Sequence, residues 1–166
     1  GEGTHPFSAF TASVLQLRPE STGHIELKSA SPDDYVAIHP NYLATKTDCD
    51  TIVAGIRIAR AVCRAEPVSS IITEEYAPGP AVGDLDDKAI LEWVRNTATT
   101  IYHPTGTCKM GPDRMAVVDS RLRVHGIEGL RVADASIMPV ITSGHTNAPS
   151  FLSGEIASDL SMEDAL

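Results

Sequence analysis

The stretch from Thr100 to Pro149 is so densely punctuated by Gly and Pro that no apolar run in it is long enough for an ordinary helix. It opens with Thr100-Ile-Tyr-His-Pro-Thr-Gly-Thr-Cys-Lys-Met-Gly111, passes through Gly129-Leu-Arg-Val-Ala-Asp-Ala-Ser-Ile-Met-Pro139 and closes on Thr142-Ser-Gly-His-Thr-Asn-Ala-Pro149. Each piece leaves a histidine or an acid where an apolar run meets a turn. Such places present side chains to ligands. His103 and His145 dominate the stretch, and Pro104 holds His103 extended by disfavouring helix for the residue before it. Imidazole is the side chain whose unperturbed pKa lies closest to neutrality. Two in one pocket divide the labour, one taking a proton while the other donates a hydrogen bond.

The remainder alternates strand and helix signals. Ala12–Leu17 and His24–Lys28 flank the turn formers Pro19-Glu-Ser-Thr-Gly23 and predict a strand–turn–strand, with a third short strand at Val36–His39. Thr47, with Asp50 three residues on, is expected to cap a helix whose apolar face is Cys49, Ile52, Val53, Ile56, Ala59 and Cys63, with Arg57, Arg60 and Arg64 on a solvated face. Thr73–Gly83 is an irregular loop, either a plain connector or a pocket wall. Asp84 then caps a second helix facing the core through Ile90, Leu91, Val94 and Ala98. Arg121–Val124 and Leu130–Ala133 predict two strands around an exposed His125 turn. Thr146 or Asn147 caps a last helix burying Phe151, Leu152, Ile156 and Leu160, and Ser161–Leu166 is a frayed tail.

Composition narrows the function. A net charge of −9 without a basic cluster argues against nucleic acid, and no apolar run approaches the roughly 20 residues of a membrane-spanning helix. Three cysteines without Cys-x-x-Cys indicate neither a disulfide framework nor zinc. They favour a reducing, cytoplasmic setting. One domain over residues 1–166 is expected from the length.

The words Tyr102-His-Pro-Thr-Gly-Thr-Cys-Lys-Met-Gly111, Val118-Asp-Ser-Arg-Leu-Arg-Val-His-Gly126, Leu130-Arg-Val-Ala-Asp-Ala-Ser136 and Ser143-Gly-His-Thr-Asn-Ala-Pro149, in this order and spacing, resemble the C-terminal part of the glucose–methanol–choline (GMC) flavoprotein oxidoreductases. The resemblance implies an α+β fold, a mainly antiparallel or mixed sheet with helices packed on one face. It also implies an FAD-dependent oxidation of an alcohol to an aldehyde, with His103 and His145 as the acid–base pair. Asp134 and Ala135 match the segment contacting the flavin's chain, and Thr146, Asn147 and Ala148 match the region that approaches its ring. A paired histidine is similar to aryl-alcohol and glucose oxidase sites, whereas Ser-Gly-His-Thr-Asn-Ala-Pro is closer to choline dehydrogenase-like members, so the alcohol stays open.

One departure stands out. No strand is followed by Gly-x-Gly-x-x-Gly; Gly1-Glu-Gly3 is the nearest approach, and Pro6 stands where the third glycine belongs. The chain is therefore expected to be the C-terminal, substrate-side part of a larger enzyme, with FAD gripped mainly by an absent N-terminal domain. The alternative is a non-catalytic fragment or accessory module that associates with a separate flavin-binding chain or with itself, through Ile137, Met138 and Ile141. A metal enzyme finds no support, since no His-x-x-x-His or acid-flanked spacing occurs.

Overall fold

The computed structural model describes residues 5–165, so the Gly1-Glu-Gly3 segment lies outside the described residues. These residues form two short strands, β1 (His24–Glu26) and β2 (Ala37–His39), and three helices, α1 (Lys46–Cys63), α2 (Asp87–Thr97) and α3 (Asn147–Glu163). Single 3-10 turns occupy Val68–Ile71 and Ala135–Ile137. The α+β class holds in this coarse form, but the regular sheet is only an antiparallel pair with His24 opposite His39 and Glu26 opposite Ala37. The chain divides into two compact units, Gly1–Gln16 with Leu43–Ala98 and Leu17–Tyr42 with Thr99–Leu166.

The first unit is a helix pair. Val53 of α1 and Ile90 and Val94 of α2 form its buried centre, flanked by Leu43, Ile52, Ile56, Leu91 and Trp93. Ala98 ends α2 exposed instead of facing this core. The expected strand Ala12–Leu17 does not form. Its Val14 lies against Gly55 of α1, where any Cβ would land inside the valine side chain, so this segment packs on a helix instead of pairing.

Both helix caps lie away from their expected positions. Thr45, not Thr47, keeps the extended backbone of an N-cap and accepts from Asp48 N at 3.2 Å. Asp86, not Asp84, caps α2 by accepting from Ala89 N at 2.9 Å. Asp84 is engaged elsewhere. Arg60, expected on a solvated face, is only 7% exposed; its guanidinium reaches Glu75 Oε1 at 2.8 Å, Asp84 Oδ1 at 2.7 Å and the Gly79 carbonyl. Arg64 also pairs with Asp84, and Arg57 donates to the Asp84 carbonyl and to Asp87. Hydrogen bonding from Arg64, then Arg60, holds the Asp84 carboxyl below its ordinary pKa. The arginines thus fasten the irregular 73–86 segment onto α1.

The second unit has its core at Val118, Leu122, Ile137 and Ala157, with Met110, Val124, Val132 and Leu160 around them. The segments Arg121–Val124 and Leu130–Ala133 do face each other, through Val124 N to Leu130 O at 3.0 Å and a bridge between Arg123 and Arg131. Regular strands fail because the Asp119 carboxylate collects the amides of Arg121 and Arg123 at 2.8 and 2.9 Å, and Leu122 takes φ 64°. That local grip curls the chain. His125 is exposed, as expected.

Helix α3 departs most from its expected packing. Ala157 and Leu160 face the core, while Phe151 is 72% exposed and Leu152 and Ile156 are also exposed. Ile137 and Met138, expected to be uncovered, are buried. Nor does the helix fray at Ser161: it continues to Glu163, where Arg121 binds Glu163 and Asp164 at 3.0 and 2.8 Å and Arg131 binds Asp164.

Hydrogen bonding from Arg121, then Arg131, lowers the Asp164 pKa. A carboxylate whose folded pKa is depressed stabilises the native state above its unfolded pKa, near 3.9, and loses that contribution as pH falls through the folded value. Protection factors of the amides in the last turn of α3 are therefore expected to fall selectively below about pH 4. An equal fall along all of α3 would show that the clamp is not responsible.

Candidate active site

Left-handed backbone delivers the first histidine. Tyr102, with φ 64°, reverses the chain immediately before His103, its amide held by Thr100 Oγ1 at 3.0 Å. A non-glycine residue held in that region costs on the order of 1 kcal/mol, so surrounding contacts must impose it. They are supplied downstream: Cys108 N bonds Ser136 O at 3.0 Å and Met110 N bonds Ile137 O at 2.8 Å, fixing the 103–110 segment to the buried Ile137 turn. At Gly106, φ is 84°, a left-handed conformation that glycine adopts without steric cost.

The second histidine arrives on the turn before α3. Gly144, at φ 92°, makes the bend, and Arg18 Nε fixes it through Ser143 Oγ at 2.7 Å. Sequence reasoning did not single out this contact, since 125 residues separate the partners.

The two imidazoles meet. His103 Nε2 lies 2.8 Å from His145 Nδ1, with ring centroids 4.9 Å apart and planes at 72°. His103 Nδ1 lies 2.9 Å from Oγ1 of Thr146, which is buried at the start of α3. Both nitrogens of half-buried His103 therefore have partners, while Nε2 of exposed His145 has none among the described residues. One proton lies between the facing nitrogens, and which ring carries it follows from whether Thr146 donates or accepts.

Thr146, expected to cap α3 or to approach a flavin ring, stands at the N-cap position but turns its hydroxyl to His103, and α3 has no side-chain N-cap. The amides of Asn147 and Ala148 are left without acceptors among the described residues, at the positive end of a 17-residue helix. An anionic or electron-rich ring edge fits that end. Asp134 is the N-cap of the Ala135–Ile137 turn: it accepts from Ser136 N at 2.8 Å and from Ser136 Oγ, keeping its carboxylate exposed. Ala135 beside it is half-buried. A shallow groove of about 330 Å³ runs along α3 past Asn147, Ser150, Phe151, Gly154 and Glu155.

The site sets two imidazoles able to exchange a proton beside a helix N-terminus able to stabilise negative charge. Residues 19–154 match the family model for the C-terminal region described as GMC oxidoreductase, and the chain belongs to that family. It is 45% identical over 151 residues to the alcohol dehydrogenase [acceptor] of Pseudomonas putida, covering 91% of this chain and 27% of that protein. It is 43% identical over 150 residues to the oxygen-dependent choline dehydrogenase of Cronobacter sakazakii, covering 90% and 26%. A solved structure of Aspergillus oryzae formate oxidase, from work on modification of its FAD, superposes with a TM-score of 0.81 at 33% identity, covering 87% of this chain and 25% of that one. The chain thus spans about a quarter of the length of the curated relatives it matches. No helix among the described residues is long and apolar enough to cross a membrane.

Proposed function

We propose that this chain supplies the substrate-facing, catalytic side of an FAD-dependent oxidoreductase acting on the CH–OH group of a small alcohol. The direct contact between His103 and His145, braced by Thr146, carries the proposal. When bound, FAD supplies the hydride acceptor. His103 removes the hydroxyl proton, and His145 donates a hydrogen bond to the oxygen as charge develops on it. An alcohol oxygen bridging both rings would replace the direct N···N hydrogen bond, accepting from one and donating to the other. Thr146, Asn147 and Ala148 would hold the ring's electron-rich edge, and Asp134 with Ala135 would face its chain. The fit supports the ring end of the cofactor only, because the chain carries no Gly-x-Gly-x-x-Gly to hold the diphosphate.

The isolated 166-residue chain is accordingly expected to retain little or no FAD through gel filtration. Stoichiometric retention, with a yellow monomer emerging from the column, would show that the dinucleotide grip lies within it.

A second reading, an accessory module requiring a separate flavin-binding chain, draws support from the exposed Phe151, Leu152 and Ile156 of α3. An uncovered apolar stripe of this kind marks an association surface. Restoration of alcohol-dependent flavin reduction by mixing two separately expressed chains would favour it over covalent continuity with a flavin domain.

A further inference from the structure

The two-stranded sheet carries a constellation separate from the histidine pair. Alternate residues of a strand share a face, so His24 and Glu26 of β1 project together, and the register sets His39 of β2 directly opposite His24. The two imidazoles stack with centroids 4.7 Å apart and 20° between planes. Both present Nε2 to one carboxylate: His24 Nε2 lies 3.1 Å from Glu26 Oε1, and His39 Nε2 lies 4.0 Å from Glu26 Oε2. One ligand atom from each residue falls within 4.8 Å of the others, and all three side chains face solvent.

We propose that His24, Glu26 and His39 form a binding site for a divalent transition-metal ion, of the zinc, copper or nickel class, that clips β1 to β2. Metal–ligand bonds of about 2.0–2.1 Å at tetrahedral angles set ligand atoms roughly 3.3 Å apart, between the two separations seen here. Closing the site takes rotation of the two stacked rings about their side-chain torsions until both Nε2 lone pairs converge on one point, a movement open to side chains that face solvent. Two imidazoles and a carboxylate suit these borderline ions, whereas calcium and magnesium require oxygen cages. Water completes the coordination on the open side. Without metal, Glu26 hydrogen-bonds His24 alone, at 3.1 Å, while His39 Nε2 stands 4.0 Å from the carboxylate; the ion takes the place of the proton between Glu26 and His24 and draws in His39.

The test uses the full-length flavoprotein containing this chain, stripped with a chelator and titrated with Cu²⁺ and Zn²⁺. One tight equivalent of Cu²⁺ is expected, its paramagnetic resonance spectrum split by two imidazole nitrogens, with Zn²⁺ competing for it. Loss of an outer-shell partner alone costs 10- to 100-fold in affinity. His24→Ala and His39→Ala, which remove direct ligands, should each weaken binding at least about 100-fold, and Glu26→Gln at least about tenfold. These positions are exposed, so the variants should keep the wild-type circular dichroism spectrum and alcohol oxidation rate. The proposal is overturned if no stoichiometric ion binds. It is equally overturned if binding survives in a His24→Ala/His39→Ala double variant but vanishes in His145→Ala, which would assign the ion to the histidine pair.

Discussion

Replacing His103 by Ala in the complete flavoenzyme is expected to lower kcat by roughly a hundred- to ten-thousand-fold, about 3–5 kcal/mol of barrier, while changing substrate affinity far less. The expectation rests on the proposed role and on the geometry that holds the ring. Thr146 fixes Nδ1 and the left-handed Tyr102 fixes the approach, so the imidazole is positioned before substrate arrives. His145→Asn should cost much less, because an amide still donates a hydrogen bond to the developing alkoxide; His145→Ala should fall between the two. Thr146→Val, which keeps shape but removes the hydroxyl bracing His103, should reduce kcat without abolishing it. Rapid-reaction flavin reduction in these variants, with flavin content checked, tests the assignment. If His145→Asn proves as damaging as His103→Ala, the division of labour is reversed and the base is His145, whose Nε2 is unpaired among the described residues.

The second large effect concerns stability. Arg60→Ala is expected to destabilise the first unit by about 1–3 kcal/mol, since it removes a buried guanidinium with its charge-assisted hydrogen bonds, while Glu75 and Asp84, with side chains 34% and 36% exposed, regain water. Glu75 loses its guanidinium contact, whereas Asp84 keeps Arg64. Arg60→Met, which fills the space with apolar atoms, should cost less, and Arg60→Lys should not recover the loss because one ammonium cannot serve Glu75, Asp84 and the Gly79 carbonyl together. Trp93 is the only tryptophan of the chain and packs in the core of this unit, so its fluorescence during urea unfolding reads the effect directly. A midpoint unchanged in Arg60→Ala would mean that the network contributes specificity of loop placement and no net stability.

The helices were legible because their causes are local. Apolar periodicity in Ile52–Val53–Ile56 and in Ile90–Leu91–Val94 matches the observed cores, and the caps missed by only two residues, since Thr45 and Asp86 are equivalent in chemistry to the expected Thr47 and Asp84. His103 and His145 stood out for the same reason: turn formers on either side determine where each ring is offered. By itself the sequence determined helix positions, the turn-borne histidines and the family resemblance that joined them. Tertiary structure alone decided pairings between distant residues, because charge, distance and burial between them leave no periodic trace. It buried Arg60 among acids supplied by a loop, bent Arg121–Val124 around Asp119, turned Phe151 outward on α3, and gave Thr146 to His103 as a brace. It also brought His24 and Glu26 against His39, a ligand set that no linear spacing announces, since cross-strand register, not sequence separation, decides which side chains share a point in space.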